Sequence, residues 1–162
     1  MSIRNIEQEN FFQVAKIYKQ GIATGFATFQ NDIPNWESWD RSHLPNCRIA
    51  AFEGNEMIGW AALTPVSSRC VYAGVGEVSV YVAENFRGKQ VGEFLLNQLI
   101  SESEKAGLWT LQSGIFPENI GSIKLHERSG FRQIGYREKI GKKDGIWKDN
   151  IIMERRSKVV GI

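Results

Sequence analysis

The stretch FRGKQVG, Phe86 to Gly92, sets an arginine, a lysine and two glycines between a valine-rich run, GEVSVYV, and an apolar-periodic one, VGEFLLNQLI. Where a strand turns into a helix, the first backbone N–H groups have no intrahelical acceptor, and the aligned peptide dipoles add partial positive charge. Such a point favours anions, phosphate among them. Gly88 and Gly92 permit close backbone approach, Arg87 and Lys89 add full charge, and Gln90, Val91 and Glu93 complete the turn into the helix. The chain has neither GxxxxGK[ST] nor a complete GxGxxG here, so nucleoside-triphosphate and dinucleotide loops lose their main support. Read alone, the turn fits equally a plain strand-to-helix connection with solvated charges.

Few other residues invite chemistry. His126, in IKLHERSGF, is one of two histidines, and a lone histidine on a short helix reads first as a structural hydrogen-bonder. Glu77 stands among valines in a strand-like run, where an uncompensated carboxylate is costly to bury unless it is paired, solvated or used. Cys47 and Cys70 have no CxxC spacing and no histidine clustered beside them, which leaves disulfide framework and metal site unsupported and predicts two buried free thiols.

The elements that must hold these groups follow from periodicity. MSIRNI alternates as a first strand, and EQENFFQVAKIYKQGIA carries Phe11, Val14, Ala15, Ile17 and Tyr18 at helical spacing. An aromatic arm follows, with Phe26, Phe29, Trp36 and Trp39 and a short helix after Pro34. CRIAAFEGNEMIGWAALTPV reads as a hairpin about EGNE, and VGEVSVYVA as a fourth strand. Val91 to Lys105 is an amphipathic helix, WTLQSGIF a fifth strand, and NIGSIKLHERSG a short helix closed by Gly130. The remainder is a long hairpin turned at KKDG. The expected class is α/β, of the α+β kind, around a mixed sheet.

At 162 residues, 42% hydrophobic and 23% charged, the chain suits one folded domain over 1–162. A net charge of +2 gives no bulk argument for nucleic acid or an anionic membrane, so any anion site is local. The polar start MSIRNIEQENFF lacks a signal-peptide pattern, and no apolar run approaches the roughly 20 residues of a membrane helix. These features predict a cytoplasmic protein.

The flanking blocks decide between the two readings of the turn. EVSVYVAENFRGKQVGEFLL followed by FPENIGSIKLHERSGF resembles the GNAT superfamily of acyl-CoA-dependent N-acetyltransferases. Further blocks, GFATFQNDIPNWESW, SRCVYAGVGEVSVYV and GKKDGIWKDNIIMERR, resemble its phosphinothricin and methionine sulfoximine N-acetyltransferase branch and extend the likeness over most of the chain. The resemblance implies the GNAT-like fold, a central mixed, mostly antiparallel sheet with splayed fourth and fifth strands flanked by helices. It implies acetyl-CoA as the cofactor, with the diphosphate held at the [RQ]xxGx[GA] turn by Arg87, Gly88, Lys89, Gln90, Val91, Gly92 and Glu93. Gln90 departs from the family, which usually has glycine there.

Carried over in the same way, Glu77 matches the general base that deprotonates the acceptor ammonium, and His126 a position near the cofactor sulfur, where many members carry a proton-donating tyrosine. The backbones of Val80 and Val82 match the pantetheine partners, with the Val80 N–H polarising the thioester carbonyl. Asn119 and Ser122 match the pantetheine-lining positions, while their plainer role is helix capping. Arg69 and Tyr72 match positions near the acceptor, where an arginine fork suits a carboxylate or phosphinate, and Phe29 is a candidate pocket wall. Gln30 stands where the family often has glutamate. Trp147 is expected to pack on the sheet or on a dimer mate.

The resulting expectation is direct acetyl transfer, without an acyl-enzyme, to the α-amine of a small amino-acid-like acceptor such as phosphinothricin, methionine sulfoximine or methionine sulfone. Homodimers are common among such relatives, so a homodimer is expected; no metal, nucleic-acid or membrane partner is. Two alternatives stay open: an acetyltransferase for another small amine or a protein N-terminus, and a non-catalytic acyl-CoA-binding sensor.

Overall fold

Val14, Ile17, Tyr18 and Gly21 recur at three- and four-residue intervals, and together they form the buried face of α1 (Phe11–Ala23). The computed structural model describes residues 1–162. α1 begins later than periodicity suggests, because Gln8–Asn10 form a separate 3-10 turn in which Glu7 and Asn10 cap each other. The short helix after Pro34 is α2 (Trp36–Ser42), started by Asn35, whose Oδ1 accepts from the Ser38 N–H at 2.9 Å.

The strands are β1 (Ser2–Asn5), β2 (Arg48–Glu53), β3 (Glu56–Pro65), β4 (Val75–Val82), β5 (Thr110–Ile115), β6 (Arg132–Lys143) and β7 (Ile146–Arg156). The remaining helices are α3 (Val91–Lys105) and α4 (Ile120–Arg128). All seven strands join one sheet, ordered β1-β2-β3-β4-β5-β7-β6. Every neighbouring pair is antiparallel except β4 and β5, which α3 connects as a crossover.

Alternation divides the side chains between two cores. Ala61, Leu63, Val78, Leu111, Ile151 and Met153 face α3, where Leu95, Leu96 and Leu99 are fully buried. Each such leucine contributes about 2 kcal/mol by leaving water. Trp60 and Ala62 face the other way, against Val14, Ile17 and Tyr18 of α1 and Trp39 of α2. Arg48, nearly buried, ties the end of α2 to β2: it donates to Asp40 Oδ1 and to the carbonyls of Asp40, His43 and Leu44.

β4 and β5 pair over only Val75–Thr110, Gly76–Leu111 and Glu77–Gln112, although both strands run on past that point. They part there, as the expected splay required. One expectation on the thiols is corrected. Cys47 is buried, and its burial, with the nearby Glu102 carboxylate, pushes the thiol up to about 11, but Cys70 is exposed. Cys70 opens a 3-10 turn, Cys70–Tyr72, in an exposed surface loop between β3 and β4. Trp147 is also exposed, with the Lys142 ammonium 4.9 Å from its ring centroid. No helix is long and apolar enough to cross a membrane.

Candidate active site

The turn before α3 takes its shape from two residues in the left-handed region, Gly88 (φ 76°) and Gln90 (φ 65°, ψ 13°). The first is free for glycine, whereas the second strains a residue with a Cβ by about 1 kcal/mol. The N–H groups of Val91, Gly92 and Glu93 then have no acceptor in the protein. Arg87, Gly88, Gln90, Gly92 and Glu93 line one end of a cleft of about 1060 Å³. Lys89 does not; its ammonium lies 5.4 Å from the Phe86 ring centroid. Glu93 is held by Arg128 at 3.4 Å, and Arg87 makes no ion pair, so its charge is free to meet an anion.

The middle of the cleft is the gap between β4 and β5. Ala83 N–H donates to Ile58 O at 2.8 Å, and in an antiparallel ladder that fixes the alternation: the N–H and C=O groups of Val80 and Val82 point away from β3, toward β5. Pairing with β5 has already ended at Glu77, so those groups face the open splay. Two exposed rungs of backbone are thus available to a ligand with amides of its own.

Glu77 sits at the fork itself, half-buried, between Thr64 of β3 and Gln112 of β5. Gln112 Nε2 donates to its Oε1 at 3.4 Å, and no lysine or arginine forms a salt bridge with it. A carboxylate so placed keeps lone pairs for a proton or an ammonium.

His126 also lines the cleft but is 3% exposed. Its Nδ1 lies 2.7 Å from Ser122 O, and a carbonyl only accepts, so Nδ1 carries the proton. Nε2 is buried without a partner. Burial lowers the pKa of His126, the Ser122 hydrogen bond opposing that shift. The neutral ring therefore presents a lone pair at Nε2, and it becomes an acid there only as an imidazolium, which burial resists. Asn119 and Ser122 line the cleft too, with Asn119 Oδ1 accepting from Ser122 N at 3.2 Å as the cap of α4.

The other end of the cleft is aromatic. Tyr18, Trp39, Trp60 and Tyr81 pack edge-to-face and stacked, and His43 lies flat on Trp39 at 4.0 Å. Burial lowers the pKa of His43 and raises those of Tyr18 and Tyr81, leaving all three neutral near pH 7. Phe29 reaches in from the arm as a wall, edge-on to Phe116 at 4.6 Å. Gln30 is occupied, accepting from Tyr18 OH at 3.0 Å. Arg69 and Tyr72 are not brought to the cleft: both are exposed on the β3–β4 loop, with the guanidinium 5.6 Å from the Tyr72 ring centroid.

A helix start with free N–H groups, a splayed pair of strands and a carboxylate at their fork together suit an anionic, amide-bearing ligand brought beside a proton acceptor. The model of the acetyltransferase (GNAT) family matches residues 2–131. The chain belongs to that family. This acetyltransferase is 27% identical over 168 residues to an L-methionine sulfoximine/L-methionine sulfone acetyltransferase of Salmonella typhimurium, covering 95% of this chain and 93% of the relative. It is likewise 27% identical over 161 residues to a phosphinothricin N-acetyltransferase of Alcaligenes faecalis, covering 95% and 81%. Its fold matches the crystal structure of a GNAT superfamily phosphinothricin acetyltransferase from Sinorhizobium meliloti in complex with acetyl-CoA, with a TM-score of 0.88 at 23% identity over 99% and 90% of the two chains.

Among the residues that escaped the sequence reading are His43 and Asn150, which line the acetyltransferase's cleft, and Gln112, which donates to Glu77 beside it. Gln112 was findable, since alternation within WTLQSGIF sets it opposite Leu111. His43 and Asn150 carried no local signal; folding alone sets them beside residues distant in the chain.

Proposed function

We propose that this enzyme moves the acetyl group of acetyl-CoA to the α-amine of a small amino-acid-like acceptor, with Glu77 as the proton acceptor. One observation carries the reading: Glu77 stands without a counter-ion at the fork of β4 and β5, between the free N–H groups of α3 and the aromatic chamber. The names of the relatives support the acceptor class.

Acetyl-CoA supplies an acetyl group activated as a thioester. The residues present suit it: the amides of Val91, Gly92 and Glu93 with Arg87 take the diphosphate, and Val82 offers backbone to the pantetheine arm beside Asn119 and Ser122. The N–H of Val80 polarises the acyl carbonyl, which stabilises negative charge as it develops. Glu77 removes a proton from the acceptor ammonium, and the freed lone pair forms the amide bond as the thioester C–S bond breaks, the amine's second proton ending on the departing thiolate to give the free thiol. His126 orients through Nε2 as a hydrogen-bond acceptor rather than as the acid. The acceptor occupies the aromatic chamber against Phe29, and Arg69 and Tyr72 stay outside it.

A homodimer belongs to the same reading. Ile134, Tyr136 and Ile140 of β6, the free edge strand, are exposed, as are Ile146 and Trp147 of its neighbour β7, and an unpaired edge beside exposed apolar side chains invites a partner. Light scattering of the purified protein tests this, and a monomer at micromolar concentration removes it.

A panel of amino-acid analogues incubated with acetyl-CoA, read by thiol release, tests the central claim. Turnover of methionine sulfone or methionine sulfoximine is expected, with phosphinothricin, whose phosphinate is anionic, the poorer acceptor. Tight coenzyme binding with no acceptor turned over would instead favour a sensor.

A further inference from the structure

From its placement and its missing partners, we infer that Asn150 of β7 selects among acceptors by hydrogen-bonding an uncharged polar group on the acceptor side chain, such as a sulfone, sulfoximine or carboxamide. The inference rests on the amino-acid-acceptor reading above and adds to it the residue that reads the side chain.

Ile151 and Met153 of β7 point into the core under α3, so the alternation sets Asn150 on the opposite face. That face also carries Gln112 and, through the Gln112–Glu77 hydrogen bond, the carboxylate at the fork. Gly114, two residues beyond Gln112 on β5, lies directly against Asn150: a Cβ built on Gly114 would sit 2.9 Å from Asn150 Nδ2 and 3.2 Å from Oδ1. The glycine is what leaves room for the carboxamide over β5.

Having made that room, the protein gives the carboxamide nothing to bind. Asn150 Oδ1 is buried without a donor, and Nδ2 donates to no protein atom. Buried polar groups are normally satisfied, and a leucine of nearly the same shape would avoid the cost of leaving this one bare. Asn150 lines the cleft with Glu77, Phe29 and Phe116, so the partner that the fold withholds is one that a cleft ligand can supply. With neither end engaged, the carboxamide can turn to donate to an oxygen or accept from an N–H.

Charge narrows the class. The acceptor half of the cleft carries one full charge, Glu77; the cations Arg87 and Arg128 belong to the α3 and α4 end, and Lys143 is committed to Asn31 Oδ1 at 2.9 Å. An anionic side chain on the acceptor meets no counter-ion there and is repelled by Glu77. An apolar one leaves Asn150 unsatisfied. A neutral oxygen or amide meets the carboxamide on equal terms.

The test compares wild type with Asn150→Leu on three acceptors at saturating acetyl-CoA: L-methionine sulfone, L-norleucine and L-glutamate. Asn150→Val, which favours a strand, replaces the leucine variant if that one fails to fold. Wild type is expected to prefer the sulfone. The substitution should lower kcat/KM for the sulfone about tenfold and leave norleucine unchanged or improved, with KM for acetyl-CoA unaltered. An equal fall for sulfone and norleucine, or no fall for the sulfone, overturns the inference. Calorimetric binding of methionine sulfone to the coenzyme A-loaded protein separates the two claims. Asn150-dependent binding without turnover keeps the inference and sinks the acetyl-transfer reading; undetectable or Asn150-independent binding sinks the inference.

Discussion

The two ends of the cleft are built from different materials. The α3 end is made of backbone: amides at a helix start, the unpaired rungs of Val80 and Val82, and a turn set by Gly88 and Gln90. The acceptor end is made of side chains from α1, the arm, α2, β3, β5 and β7, with Tyr18, His43 and Asn150 meeting from widely separated positions. Backbone devices depend on local conformation, so they tolerate changes of side chain and recur throughout a family. A chamber of side chains alters with each substitution, and so it is where one enzyme comes to differ from its relatives.

The strongest way to break that contrast is at the fork, where the two ends meet. Glu77→Gln is expected to reduce kcat by about a hundredfold or more at neutral pH while coenzyme affinity measured by calorimetry stays the same. Full retained activity would take Glu77 out of the mechanism and leave the two ends unconnected.

Gly92→Asp attacks the backbone end alone. It sets a negative charge beside the free amides, and its Cβ would stand 3.2 Å from Leu125 Cδ2. Coenzyme A affinity should weaken by about tenfold or more. Unchanged affinity would move the diphosphate away from this turn.

The two histidines, one at each end, are linked to stability with the same sign. Burial lowers both pKa values below the ordinary 6.5, so above that pH neither binds a proton in either state and their cost is absent. As pH falls through 6.5 the unfolded chain protonates first, and stability is lost until the folded-state values are reached. Denaturation midpoints should therefore drop between pH 7 and about 5, and His126→Asn should flatten that slope. An unaltered slope would mean that the His126 ring is not kept neutral by burial.

Gln90→Gly relieves the left-handed backbone and is expected to stabilise the protein by up to about 1 kcal/mol in urea titrations, less what glycine adds to the freedom of the unfolded chain. The smallest effect is expected at Arg69. Because it is exposed and outside the cleft, Arg69→Ala should leave acceptor KM within about twofold. A large rise would bring the β3–β4 loop back to the acceptor.

Legibility followed the same division. α3 was bounded correctly at Val91 and Lys105 because Val91, Phe94, Leu95 and Leu99 fall at helical spacing, and β4 to within one residue because valines recur through VGEVSVYVA. The amide-lined turn was visible because it needs only a helix start and glycine. Cys70 went astray because its exposure depends on what covers the β3–β4 loop, and no pattern within that loop encodes its cover.

Amino-acid order alone determined the run of strands and helices, the amide-lined turn and the carboxylate candidate, since each arises from contacts among near neighbours in the chain. Tertiary structure alone decided that β4 and β5 part at Glu77, that the His126 proton stays on Nδ1, and that Asn150 lies bare over Gly114. Those outcomes depend on which distant groups come within a few ångströms, and such proximity exists only once the sheet has closed around its two cores.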